Sequence, residues 1–234
     1  MMLGTPRLHL REVDSTNVRA QRLAVSGAPH GALVTAAAQT AGHGRQGRAW
    51  VTPPGRALAC SLVLREPPRL LPMVAALAVA DVADRFDAAG RTAAIKWPND
   101  VLLDGRKVAG ILAEGRPQEG WVVLGIGLNV AVAQDDFPPE LRALATSLGR
   151  GPTAVEPVLA LLLERLEHWL AAVPDDAMHA YRARDALAGR EISWNGGRGT
   201  ALGIADDGRL RVRSATDGAE RLLDAGEVHL GTGG

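Results

Sequence analysis

Only one cysteine, Cys60, occurs in this chain of 234 residues, which excludes an intramolecular disulfide and a multi-cysteine metal cage and fits a reducing cytoplasm. Net charge is lacking too. The 26 basic and 26 acidic side chains cancel, so no whole-chain field gathers nucleic acid or an anionic membrane; neither is an expected partner, and any phosphate binding must be local. The longest apolar stretch, Leu70 to Ala80, reaches about half of the ~20 residues a membrane span requires, and Asp81 and Asp84 close it, so it reads as a buried helix. Met1 to Arg11 mixes Arg, His and Pro and has no signal-peptide core, so export is not expected. His9, His30, His43, His168, His179 and His229 show no metal-ligand spacing, and the chain has neither a Walker-type phosphate loop nor a Gly-x-Ser-x-Gly elbow. Zinc-hydrolase and serine-hydrolase chemistry is thereby set aside. No repeat of fixed period and no low-complexity tract occurs.

What is present is a succession of short apolar runs divided by turn residues, in a chain long enough for one large domain or one domain with a small appendage. Asp14, Ser15, Thr16 and Asn17 before Ala20, Leu23 and Ala24 predict a capped amphipathic helix ended by Gly27. Strands are predicted over Ala32–Ala37 and Ala57–Leu64, on either side of a Gly-rich segment, and a mostly buried helix over Pro72–Phe86. Short strands follow at Ala93–Lys96, Val101–Leu103, Lys107–Ala113 and Trp121–Val130, with Asp104-Gly105 as a hairpin turn. Helical spacing returns from Thr153 to Val173, with Pro157 tolerable in the first turn. After Leu187 five strand-like pieces, Glu191–Trp194, Thr200–Ile204, Leu210–Arg213, Glu220–Leu223 and Glu227–Leu230, are separated by Gly, Asp and Asn turns and predict a small all-β module.

Gly42-His43-Gly44-Arg45-Gln46-Gly47 has the form of a dinucleotide-binding turn, but that turn needs a helix at its third glycine to present amide donors to pyrophosphate. Here Arg48, Ala49, Trp50, Val51, Thr52, Pro53, Pro54 and Gly55 follow, so no helix starts cleanly. The segment is either a solvated surface loop or a flexible loop whose arginines fold over an anionic ligand. Lys96-Trp97-Pro98-Asn99-Asp100 places a polar pair between two apolar strands, where Pro98 holds Trp97 extended. Asn99 and Asp100 either form an Asx turn or serve a ligand, with Asp100 a candidate for magnesium and Asn99 for adenine or phosphate. Gly110 behind Lys107, and Gly125 and Gly127 before Asn129, interrupt apolar strands. They mark bulges or a glycine-floored groove edged by Lys107 and Asn129. Cys60, flanked by Ala59 and Ser61 in an apolar run, reads as a core residue with no catalytic role.

Taken together, Ser15-Thr16-Asn17, the run from Gln39 to Arg48, Lys96-Trp97-Pro98-Asn99-Asp100, Lys107-Val108-Ala109-Gly110-Ile111-Leu112 and Gly125-Ile126-Gly127-Leu128-Asn129-Val130 closely resemble the biotin–protein ligase family in order and spacing. The likeness covers roughly residues 10 to 150 strongly and the β-rich tail more loosely. It implies an α/β (α+β) fold, with a mixed sheet and flanking helices in a catalytic domain over residues 1–186 and a small SH3-like β-barrel over residues 187–234. It also implies roles. Ser15, Thr16, Asn17, Gln39, Gly42, His43, Gly44, Arg45 and Gly110 fall on the biotin side, Arg48, Trp50, Asn99 and Asn129 on the ATP and adenylate side, and Lys107 touches both substrates. Ala38 stands where the family usually has Glu, and His43 and Gln46 where it has Arg, so the loop is less basic than usual.

The implied activity joins biotin to ATP as biotinyl-5'-AMP with release of pyrophosphate, then passes biotin to a lysine of the biotin carrier domain of a carboxylase. Biotin and ATP are then substrates, accompanied by magnesium, and no tightly bound cofactor is expected. Arg45 and Lys107 are the candidates for the fixed positive charge that two approaching anions require. Only about a dozen residues precede Ser15, too few for the helix-turn-helix of repressor members of the family, so operator binding is not expected. A sheet edge is a candidate for pairing with a twin subunit, giving a homodimer, or with the acceptor's strand. The rival readings are a lipoate or octanoate protein ligase and a non-enzymatic adaptor with a peptide-binding β module.

Overall fold

The computed structural model describes residues 2–224 and 228–230. Seven strands form one mixed sheet: β1 (Arg7–Val13), β2 (Leu33–Gln39), β3 (Ala57–Arg65), β4 (Ala93–Lys96), β5 (Asp100–Leu103), β6 (Arg106–Arg116) and β7 (Trp121–Asn129). Their spatial order is β1-β2-β3-β7-β6-β5-β4. Only β1 and β2 run parallel; the other neighbours are antiparallel. Asp104 and Gly105 both take positive φ, 50° and 73°, as a tight turn between β5 and β6 requires.

Period-2 alternation gives the sheet two different faces. Leu58, Cys60, Leu62 and Leu64 of β3 join Leu124, Ile126 and Leu128 of β7 in the main core, which is closed by α2 (Leu71–Phe86) and α3 (Val155–Ala171). Helix α2 has no polar side between Met73 and Ala80, so it is buried nearly all round, between the sheet, α3 and α4 (Pro174–Ala183). The opposite face carries Ala59, Ser61 and Val63 of β3 and Val123, Gly125 and Gly127 of β7, and against it packs α1 (Thr16–Val25). Ser15 is extended at the start of α1, and Gly27 beyond its end has φ 85°.

Five further strands, β8 (Glu191–Trp194), β9 (Gly197–Ile204), β10 (Leu210–Ser214), β11 (Glu220–Leu223) and β12 (Val228–Leu230), form a second antiparallel sheet in the order β11-β10-β9-β8-β12. The edges β11 and β12 do not pair with each other among the described residues, so the barrel is not closed there. Glu227, expected to open the last strand, lies outside the described residues. This module is not loosely tethered: Ile192, Ala201, Ile204, Leu210, Val212 and Val228 share the main core with α2. The Trp97 Nε1–H donates to the Gly208 carbonyl at 2.9 Å, and Arg182 of α4 donates to the Ile204 carbonyl at 2.9 Å and pairs with Asp206 at 2.6 Å.

Two elements escape the sequence reading. Strand β1 is an edge strand whose residues are at most half-buried, so it carries little apolar signal. Helix α4 begins with Pro174, Asp175 and Asp176, good first-turn residues, but buries only Ala177, Met178 and Tyr181.

Candidate active site

One cleft opens on the α1 face of the large sheet, lined by the first turn of α1, the loop after β2, the β4–β5 connection and the glycines of β6 and β7. Its inner end is built by hydrogen bonds. Ser15, Thr16 and Asn17 are all buried. The Gln39 side-chain carbonyl, at the end of β2, accepts from the Thr16 N–H at 2.8 Å and from its hydroxyl at 3.1 Å. Ser61 of β3, fully buried, places its Oγ 2.9 Å from Thr16 Oγ1 and 2.7 Å from Asn17 Oδ1. The Asn17 amide donates in turn to Glu114 at 3.0 Å. These contacts fix the helix start against the sheet, so the polar groups of Thr16 and Gln39 face the cleft in one orientation.

The glycine floor is real, and what approaches it is side chain rather than foreign backbone. A Cβ at Gly125 would stand 2.1 Å from Asn17 Oδ1, and one at Gly127 would stand 2.5 Å from the Trp50 ring. At Gly110 it would meet Lys107 Nζ at 3.2 Å. Trp50 therefore lies against Gly127 and Gly110, with Lys107 Nζ 5.8 Å from its ring centroid. Its buried Nε1 has no hydrogen-bond partner.

Charge gathers beside this floor. Lys107 Nζ is 2.6 Å from Asp100 Oδ1. Arg45 reaches Asn99 Oδ1 at a long 3.4 Å, and burial lowers its pKa, partly offset by Asp100. Lys96, at the end of β4, is half-buried; burial lowers its pKa, Asp100 opposes that, and Lys107 and Arg48 lower it further. Residues 42–50 fold back on themselves: Trp50 N–H donates to Gly42 O, Gly44 N–H to Arg48 O, and His43 bridges Ala49. Only a three-residue 3-10 turn, Arg45–Gly47, interrupts them, so the rejected dinucleotide turn is indeed without its helix. His43 Nε2 sits 3.8 Å from Glu114. The thiol of Cys60 is pushed up to about 12 by burial, with Arg7 pulling it back, and is no nucleophile at neutral pH.

A sequence model of the biotin/lipoate A/B protein ligase family matches residues 10–130, the part that supplies most of this cleft. The chain belongs to that family. It is 38% identical to the biotin–acetyl-CoA-carboxylase ligase of Paracoccus denitrificans over 95% of this chain and 99% of that one. With the Mycobacterium tuberculosis protein of the same name it shares 35% identity over 94% of this chain and 87% of the other. A solved biotin protein ligase from Aquifex aeolicus, in complex with biotin and ATP, superposes with a TM-score of 0.82 at 26% identity, covering 97% of this chain and 99% of that one.

Within this family frame, the structure brings Ser15, Thr16, Asn17, Gln39, His43, Gly44, Arg45, Arg48, Trp50, Asn99, Asp100, Lys107 and Gly110 to the one cleft. Two expected residues stand apart from its lining. Gly42 is buried behind the loop, where a Cβ would press on the Trp50 carbonyl at 2.6 Å. Asn129 lies at the end of β7 beneath residues 145–148, its amide donating to the Thr146 carbonyl at 2.9 Å while its Oδ1 has no partner. Asn99 is partly structural, donating to the Ile111 carbonyl at 2.9 Å. The Trp97–Pro98 peptide is cis. Lys96, and Val228 and His229 from the second sheet, line the cleft without having been foreseen. Lys96 was legible as the first residue of its motif; no local pattern announces a residue more than a hundred positions away.

Proposed function

We propose that this chain is an ATP-dependent biotin–protein ligase that forms biotinyl-5'-AMP and transfers biotin to a lysine of a carboxylase's biotin carrier domain. One observation carries the reading: the polar pocket of Thr16 and Gln39, the small-residue floor and the Arg45, Lys107 and Asp100 charges occupy a single cleft. A cyclic urea with an apolar body suits the inner end, where donors and acceptors are fixed. Its carboxylate then points along the floor to Arg45 and Lys107.

In the first half-reaction a biotin carboxylate oxygen bonds to the α-phosphorus and pyrophosphate leaves with the electron pair of the broken P–O bond. Arg45 and Lys107 hold the two anions together, and preorganised charge of this kind contributes on the order of 3 kcal/mol to lowering a barrier. In the second, a neutral lysine amine of the acceptor attacks the acyl carbon, AMP departs, and the amine loses its proton. No covalent bond to the enzyme is needed. The hairpin of residues 42–50 covers the mixed anhydride and keeps water from it. No group of three or more His, Cys, Asp or Glu able to hold a metal occurs among the described residues. Magnesium would come with the triphosphate and supply charge neutralisation there, with Asp100, which is paired with Lys107 Nζ at 2.6 Å, as its candidate protein ligand.

The test is transfer of labelled biotin to a biotin carrier domain with ATP and magnesium, comparing wild type, Lys107→Ala and Arg45→Ala, with lipoate in parallel. ATP-dependent biotin labelling that drops in both variants is expected. Labelling with lipoate alone would move the chain to the other branch of its family, and none with either substrate would favour the adaptor.

A further inference from the structure

We infer that Thr146, backed by Arg91, is a positioning residue for Lys107; the reaction it serves rests on the ligase reading above. Lys107 and Gly110 are three residues apart on β6, so regular alternation would put them on opposite faces of the sheet. Both face the cleft. A Cβ on Gly110 would stand 3.2 Å from Lys107 Nζ, and both residues line the cavity. A β-bulge reconciles the two: Val101 pairs with Ala109 and Leu102 with Lys107, so Val108 is the extra residue. Val108 and Ala109 are accordingly both buried in the main core, and Lys107 is turned out beside Asp100, 2.6 Å away. Without the bulge the lysine would follow Ala109 into the core.

A bulge disrupts its ladder, and the backbone groups beside it need other partners. Strand β7 cannot supply them, since its pairing with β6 stops at Leu128 opposite Ala109. A strap, residues 144–147, takes its place and lies parallel to Lys107. The Lys107 N–H donates to the Leu144 carbonyl at 2.7 Å, and the Lys107 carbonyl accepts from the Thr146 N–H at 2.9 Å. Apart from that bridge the strap belongs to no helix or sheet, so its place is set from behind. Arg91 donates to Thr146 Oγ1 at 3.2 Å and to the Ser147 carbonyl at 2.9 Å, and is itself fixed by Asp87 at 2.6 Å. Contact thus runs from the end of α2 through Arg91 and Thr146 to the backbone of Lys107. A charge that must meet a reacting phosphate is sensitive to such support, because a misplacement of about 1 Å can cost on the order of a hundredfold in rate.

The experiment uses the full chain as wild type, Thr146→Val, Thr146→Ser, Lys107→Ala and the double variant Lys107→Ala/Thr146→Val. Valine keeps the shape and loses the oxygen that Arg91 holds; serine keeps that oxygen. Single-turnover adenylate formation should fall on the order of three- to tenfold in Thr146→Val and return to within about twofold of wild type in Thr146→Ser. In the Lys107→Ala background, Thr146→Val should change the rate by less than about twofold, since the group it positions is gone. A merely structural threonine would cost the same factor in both backgrounds, and that result would overturn the inference. So would an unchanged rate in Thr146→Val. Hydrogen exchange reads the strap without turnover: the Lys107 amide should exchange faster in Thr146→Val, while the Ile111 amide, held by the Asn99 carbonyl at 2.9 Å, keeps its rate. Equal acceleration of the two amides would mean general loosening and would also overturn it. If wild type forms no biotinyl adenylate but the Lys107 amide alone responds, the ligase reading fails and the strap stands.

Discussion

Gly125→Ala should disable the biotin end of the cleft by displacing one side chain, Asn17, without removing any polar group. The new Cβ would stand 2.1 Å from Asn17 Oδ1, whereas ordinary contact begins at 3.4 Å, so Asn17 has to retreat by about 1.3 Å. Asn17 cannot do so and keep its bonds to Ser61 at 2.7 Å and Glu114 at 3.0 Å. Breaking buried hydrogen bonds costs ~1–3 kcal/mol each, so a loss of roughly 3 kcal/mol is expected. For a chain of this size that lowers Tm by about 6–12 °C. Because Ser61 also contacts Thr16, biotin affinity should fall together with stability. Thermal melts and calorimetry with biotin measure both. The decisive comparison is the double variant Asn17→Ala/Gly125→Ala, in which the obstructing side chain is absent: the cost of Gly125→Ala should nearly vanish in that background. Wild-type melting of Gly125→Ala, or strict additivity in the double variant, would show that the new methyl group and Asn17 do not collide.

Three further outcomes are expected. Lys107→Ala should lower adenylation on the order of a hundredfold with only a modest change in Tm, since Lys107 is partly exposed; rapid-quench assays of adenylate formation read this directly. Arg91→Met should destabilise the fold by about 3–5 kcal/mol, because it strands the Asp87 carboxylate, whose side chain is 0% exposed and 2.6 Å from Arg91. Burial pushes the Asp87 carboxyl up, but hydrogen bonds and charge from Arg91 outweigh that and hold it below the usual range. Its stabilising contribution is therefore complete above the unfolded carboxylate pKa of ~3.9 and is lost as pH falls through the lower folded value, a dependence that urea titrations should find flattened in Arg91→Met. Cys60, held protonated by burial, should react with iodoacetamide at pH 8 only as fast as the chain unfolds, and Cys60→Ala should keep its activity.

The parts of the fold legible in sequence are those whose pattern is local. The strand runs of β3 to β7, the Asp104-Gly105 turn and the long helices α2 and α3 follow from apolar period and turn chemistry, and their bounds shift by no more than a few residues. Strand β1 and helix α4 do not announce themselves, because an exposed edge strand and a short helix with three buried residues carry little pattern. The site divides in the same way. Gly110, Gly125 and Gly127 signal close approach correctly, but sequence cannot say that Trp50, Lys107 and Asn17 are what approach. Asn129 belongs to a glycine-rich strand that faces the cleft, yet residues 145–148 cover its end, a contact with no local signature. Val228 and His229 reach the cleft only because the second sheet docks on α2 and Trp97.

Adenylate formation can be measured without an acceptor protein. The chain is mixed with ATP, magnesium and biotin, pyrophosphate release is followed in the first turnover, and the bound product is identified by mass spectrometry. A burst of about one pyrophosphate per chain and a retained biotinyl-5'-AMP are expected, since the covered cleft shields the anhydride from water. No burst with biotin, at substrate concentrations that saturate its relatives, would contradict the ligase reading.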